Sequence, residues 1–146
     1  MMRLIEHSGA ADMVFVGLGP GEMLLESIRQ AIADKNIQNG VVVSGIGALK
    51  KCRIHYILRT GFPSKNEFLT VEKPLELASL SGIIAAGEPH LHVVVSHEDK
   101  EVYAGHLEDG SEVAYLAEIA IMRLEGLSMH RALDDAGRVR LLTAEE

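Results

Sequence analysis

Residues 87–110 constrain this chain more than any other stretch. They read Gly-Glu-Pro-His-Leu-His-Val-Val-Val-Ser-His-Glu-Asp-Lys-Glu-Val-Tyr-Ala-Gly-His-Leu-Glu-Asp-Gly and hold four of the seven histidines. His90 and His92 lie two apart in a run rich in Val and Leu. Such a run predicts a strand, and residues i and i+2 of a strand point to one face. Residues 96–101 are polar and predict a hairpin connection, and residues 102–107 return as a second strand that carries His106. If the two strands pair, His106 comes back beside His90 and His92. Three neutral imidazoles on two strands can hold zinc or a similar divalent ion and leave a fourth position open to water or substrate. Spacing alone also allows ordinary surface or hydrogen-bonded core histidines, since no Cys-x-x-Cys pattern supports a metal. His97 falls in the connection and reads as solvated.

The chain has 146 residues, the length of one domain spanning 1–146, with 47% apolar and 24% charged residues. That balance predicts a globular chain with a real core. A net charge of −7 argues against direct nucleic-acid binding, because a domain that neutralises phosphates needs a basic surface. Lys50, Lys51 and Arg53 form the only basic cluster and read as a solvated strand end. Trp is absent, and three Tyr and three Phe supply few platforms for base stacking. The single cysteine, Cys52, cannot form an internal disulfide, which fits a reducing compartment. Its basic neighbours would suit a nucleophile, but a packed structural thiol is the preferred reading. No signal peptide and no apolar run near the ~20 residues of a membrane span are visible, so a cytoplasmic protein without membrane contact is expected.

In chain order, residues 2–7 predict a first strand and residues 12–17 a second. Residues 17–22, Gly-Leu-Gly-Pro-Gly-Glu, break the chain before an amphipathic helix over 22–35, where Leu24, Ile28, Ala31 and Ile32 fall at helical spacing. The loop is not a dinucleotide fingerprint. Glu22 replaces the third glycine, and a carboxylate there opposes a pyrophosphate. Residues 40–57 predict two strands joined by a glycine-relaxed bend. On the second, Cys52, Ile54 and Tyr56 share one face and Arg53, His55 and Ile57 the other, which makes His55 a surface or edge residue. Residues 59–73 are the most loop-like and suggest a flap or a subunit contact. Residues 74–86 return to strand and include Glu76, either solvent-facing on an edge or inward and functional. Residues 112–126 carry both periods, and propensity leans to a helix. Residues 128–142 read as a tail with a turn at 134–137 and a short strand at 139–142.

Residues 40–49 (Gly-Val-Val-Val-Ser-Gly-Ile-Gly-Ala-Leu), residues 76–82 (Glu-Leu-Ala-Ser-Leu-Ser-Gly) and the Pro-His-Leu-His…Gly-His-Leu element resemble the plant and prokaryote conserved (PPC) domain family over roughly residues 5–142. The resemblance implies an α+β fold, a bent, mostly antiparallel β-sheet packed on one main α-helix, as in acetolactate decarboxylase-like architectures. It implies a homotrimer. It makes residues 112–124 a strand, against their local propensity. It likens His90, His92 and His106 to the three-histidine metal sites of acetolactate decarboxylase and of a zinc-dependent ester hydrolase. Plant members bind DNA through AT-hooks, which require Arg-Gly-Arg-Pro in a basic stretch; this sequence has none.

Two functional expectations follow. In the first, a divalent metal, zinc in the leading reading, sits on His90, His92 and His106 and acts on a small-molecule ligand. The chemistry is hydrolase-like or decarboxylase-like, with Glu76 as catalytic proton shuttle or as a support for a ligand. In the second, the chain is a non-catalytic assembly or regulatory module with a DNA-associated role through a partner, in keeping with the DNA-binding label attached to prokaryotic relatives.

Overall fold

A computed structural model of the chain describes residues 2–98 and 100–144. Its organising element is one long strand, β2 (Asn39–Arg59), of 21 residues. Val42, Leu49, Cys52 and Ile54 on it are buried. The expected break into two strands does not occur. The chain runs through residues 45–48 as strand, with register shifts between Val42 and Ser44 and between Gly47 and Leu49. The glycine at position 47 answers a neighbour: a Cβ there would lie 2.3 Å from the carbonyl oxygen of Leu116. Strand glycines of this kind mark a close backbone approach.

The remaining strands assemble on β2. They are β1 (Ala11–Leu18), β3 (Lys65–Val71), β4 (Leu75–Ala85), β5 (Glu88–Ser96), β6 (Val102–Leu107) and β7 (Glu112–Leu124). They form one sheet in the order β1-β7-β2-β4-β5-β6, with β3 also on β2 and β6 returning to β2. Every pairing is antiparallel. The return of β6 closes β2, β4, β5 and β6 into a ring. A short hairpin, β8 (Met129–Leu133) with β9 (Arg140–Ala144), follows.

Among the described residues the fold is thus a mostly antiparallel sheet with a single short helix, α1 (Leu24–Asp34). The helix buries Leu24, Leu25, Ile28 and Ile32 in the core shared with Leu49, Leu80, Ile84 and Ile119. Asn36 ends it in the left-handed region at φ 49°. Before it, the Glu22 carboxylate accepts the Gly19 N–H at 2.5 Å. One amide of this loop is therefore paired with a carboxylate of the chain itself.

Several expectations need correction. Residues 2–7 form no strand; the first is β1. The expected loop over 59–73 contains β3, whose residues are mostly exposed, so its sequence looks polar. In the expected tail, the turn near 134–137 and the last short strand are present, the latter as β9, and the unexpected part is β8, which pairs with it. Residues 112–124 are strand, as the family resemblance implied, because β7 is paired on both edges, by β1 and β2. Among the described residues, no helix is long and apolar enough to cross a membrane.

Cys52 is fully buried, and burial pushes its thiol from 9.0 up to about 11, against a smaller lowering by Ser111. The folded state keeps this proton longer than the unfolded chain does. Its contribution is therefore complete below about pH 9 and is lost as pH rises toward about 11, by as much as about 2–3 kcal/mol. Urea unfolding at pH about 8 and about 10.5 should show this loss in the wild type and a smaller one in Cys52→Ala. Equal losses in both would refute it.

Candidate metal centre

The ring closure positions the histidines. On β5, His92 pairs with Ser81 of β4 on one side and with His106 of β6 on the other. His106 pairs in turn with His55 of β2. His90 sits two residues before His92 on the same face, opposite Ile83. One ligand atom from each of His90, His92 and His106 lies within 4.8 Å of the others. Ring centroids are 5.4 Å apart for His90 and His92, 4.9 Å for His90 and His106, and 5.6 Å for His92 and His106. Nitrogens on one tetrahedral zinc lie roughly 3.3 Å apart, given Zn–N near 2.0–2.1 Å, so modest side-chain rotation would bring the set together.

The electrostatics suit a ligand set. Burial, then the neighbouring charges of His55 and His90, hold His106 down at about 4, with Glu108 pulling the other way. Burial, then Arg131, His92 and His55, also lower His90. Both rings are therefore neutral near pH 7 and keep a lone pair for an ion. His90 and His92 are exposed and His106 half-buried, so the set opens to solvent on one side.

A second group stands behind it. His55 stacks on His106 with centroids 4.5 Å apart, and its Nδ1 meets Glu108 Oε1 at 2.5 Å. Ligand atoms of His55, His106 and Glu108 also lie within 4.8 Å of one another. An ion there would first have to separate the His55–Glu108 pair. Burial and neighbouring charge lower the imidazoles of His90 and His106, and among the described residues neither ring is held by a carboxylate as His55 is. The triad of His90, His92 and His106 is the better cation site on these grounds.

His55 is more than the edge residue expected from its strand face. Its neighbour His106 is 51 residues away in sequence, a contact no local pattern announces. Glu108 carried a readable signal: His106 and Glu108 stand at i and i+2, the same spacing that singles out His90 and His92. Glu76 is not brought to the imidazoles. It pairs with Ser96, four residues past His92 on β5, or about 13 Å along the strand. It lines a different groove, with Pro74, His97 and Tyr115. His97, expected as solvated, is half-buried there. Asp99, inside the hairpin connection, lies outside the described residues.

Comparison with known proteins agrees with this architecture. The family model of the Plants and Prokaryotes Conserved (PCC) domain matches residues 6–125. A crystal structure from Archaeoglobus fulgidus, described as a metal-containing protein, is similar at TM-score 0.78 and 27% identity over 97% of this chain and 99% of that one. A structure from Bacteroides thetaiotaomicron, provisionally described as DNA-binding, has TM-score 0.77 and 18% identity over 94% of this chain and 96% of that one, a likeness of fold. The bifunctional protein GlmU of Synechococcus sp. (strain JA-2-3B'a(2-13)) is 29% identical over 113 residues, 77% of this chain. The matched region spans only 17% of that relative's length.

Proposed function

The chain belongs to the Plants and Prokaryotes Conserved (PCC) domain family, and from that premise we propose that it binds one divalent metal ion on His90, His92 and His106 and handles a small molecule there. The observation that carries the reading is the convergence of three ligand nitrogens within 4.8 Å on an exposed face. The metal-containing Archaeoglobus relative supports it. Zinc suits three imidazoles with an open position. A bound ion would supply Lewis acidity, polarising a ligand oxygen or acidifying a bound water.

The protein's own residues have separate tasks in this reading. The β5–β6 pairing holds His92 and His106 across from each other. Glu108 orients His55 through Nδ1, which leaves Nε2 of His55 to accept a proton. That gives the proton-handling role to His55 with Glu108, since Glu76 stands too far off. Hydrolysis or decarboxylation of a small oxygen-rich acid fits such a set. Self-association belongs to the same proposal. Phe15 is 77% and Tyr115 76% exposed on the sheet of β1 and β7, and a homotrimer would cover such apolar surface.

The test is elemental analysis of untagged protein purified without added metal, then titrated with zinc, with light-scattering mass from the same samples. About one ion per chain and a mass near three chains are expected. Wild-type protein that neither carries nor takes up metal would refute the metal reading and favour the assembly-module alternative. A monomer mass would refute the trimer alone.

A further inference from the structure

The β8–β9 hairpin folds back against the histidine face. It forms a groove of about 350 Å³ lined on one wall by His90 and His92 and on the other by Arg131, Arg140 and Leu141. That volume lies at the small end of ligand sites. Among the described residues, no acidic side chain lines it. Arg131 is anchored by backbone: its Nη1 donates to the Glu88 carbonyl at 3.1 Å and its Nη2 to the Ile83 carbonyl at 2.9 Å. Arg140 donates from Nη1 to the Arg131 carbonyl at 3.4 Å, which keeps its guanidinium at the groove. Among the described residues, neither arginine is in an ion pair with a carboxylate. On a chain of net charge −7 with 21 acidic residues, two guanidiniums bonded only to carbonyls are an unusual arrangement. Partial burial even lowers the Arg131 pKa, against a smaller raising by Glu88.

Carbonyl partners bring no negative charge, so among the described residues neither guanidinium is neutralised by a paired carboxylate. A guanidinium matches the paired oxygens of a carboxylate or phosphate. The groove sets that anion site against the imidazoles, so a ligand of a few heavy atoms touches both walls. We propose that this groove binds a small oxyanion, a carboxylate or a phosphate, with Arg140 and Arg131 holding its charge beside His90 and His92. This deepens the metal-site reading by naming the ligand class, and a second ligand oxygen would face the metal.

The test is isothermal titration calorimetry at constant ionic strength, with malonate and inorganic phosphate as separate probes, on metal-stripped and zinc-titrated protein. Metal content is counted in each sample. Binding of at least one probe is expected, weakened about tenfold or more in Arg140→Gln and partly restored in Arg140→Lys, with metal content unchanged. Whichever probe binds more tightly tells carboxylate from phosphate. Arg140 is the variant of choice because Arg131 also pins the hairpin to β4 and β5. Circular dichroism of Arg140→Gln, with an unchanged thermal midpoint, confirms that the hairpin survives. Neither probe binding to metal-loaded protein, or equal binding by wild type and Arg140→Gln, overturns the oxyanion site and leaves the metal reading standing. Oxyanion binding that depends on Arg140 in protein that takes up no metal upholds the site and refutes the metal reading.

Discussion

Gly82→Ala is expected to cost about 3 kcal/mol or more and to weaken metal uptake without removing any ligand. A Cβ at position 82 would lie 2.0 Å from the carbonyl oxygen of His90, 2.9 Å from its carbonyl carbon and 2.9 Å from Cα of Leu91. All three atoms are backbone, so no side-chain rotation relieves the clash. Gly82 pairs with Leu91 in the middle of the β4–β5 ladder, between the Ser81–His92 and Ile83–His90 pairs. Relief requires β5 to move away from β4 at the segment that carries two of the proposed ligands. Overpacking a well-packed site costs about 1–3 kcal/mol, and forcing apart a ladder adds lost hydrogen bonds. At this chain length a loss of that size lowers the thermal midpoint by roughly 6–12 °C. Gly61→Ala is the control: nothing lies within 4 Å of a Cβ there, and a change within about 0.5 kcal/mol is expected. Differential scanning calorimetry with a zinc titration reads both quantities. A Gly82→Ala protein with wild-type midpoint and metal content would show that β5 has room to shift.

His92→Ala should reduce metal content from about one ion per chain to a small fraction of that, and its effect on stability should depend on metal. His92 is exposed, so truncation of the ring removes little packing. Its worth lies in coordination. An ion present at about a hundred times its dissociation constant stabilises the native state by about 2.7 kcal/mol. Loss of that term should lower the midpoint by roughly 5–10 °C in zinc buffer. In a chelating buffer, wild type and variant should melt together within a degree or two. Equal midpoint losses in both buffers would make His92 a structural residue. Unchanged metal content would take it out of the ligand set.

These two tests bear on the part of the protein that was most legible. The i, i+2 pair of His90 and His92, the polar connection and His106 on the returning strand all lie within residues 87–110, and hairpin geometry is local enough to follow from pattern. The helix was equally readable, because its apolar spacing and the left-handed Asn36 are local features. Cys52 was legible as a packed thiol from its place in an alternating run. The glycine-rich residues 45–48 misled, because glycine there answers long-range approach. Leu80 would meet a Cβ on Gly45 at 2.6 Å, and the Leu116 carbonyl one on Gly47 at 2.3 Å. The β3 segment read as loop because an exposed strand needs no apolar alternation.

By itself the sequence determined the histidine hairpin, the helix and the family, since each rests on contacts within about two dozen residues or on a contiguous motif. Only the tertiary structure decided what surrounds the imidazoles. The closure of β6 onto β2 places His55 and Glu108 behind His106. The β8–β9 hairpin sets Arg131 and Arg140 opposite His90 and His92, and the β4–β5 register leaves Glu76 at the far end. Each of those placements depends on strands distant in sequence whose register is set by burial of the shared core, and no local spacing encodes which distant face a side chain will meet.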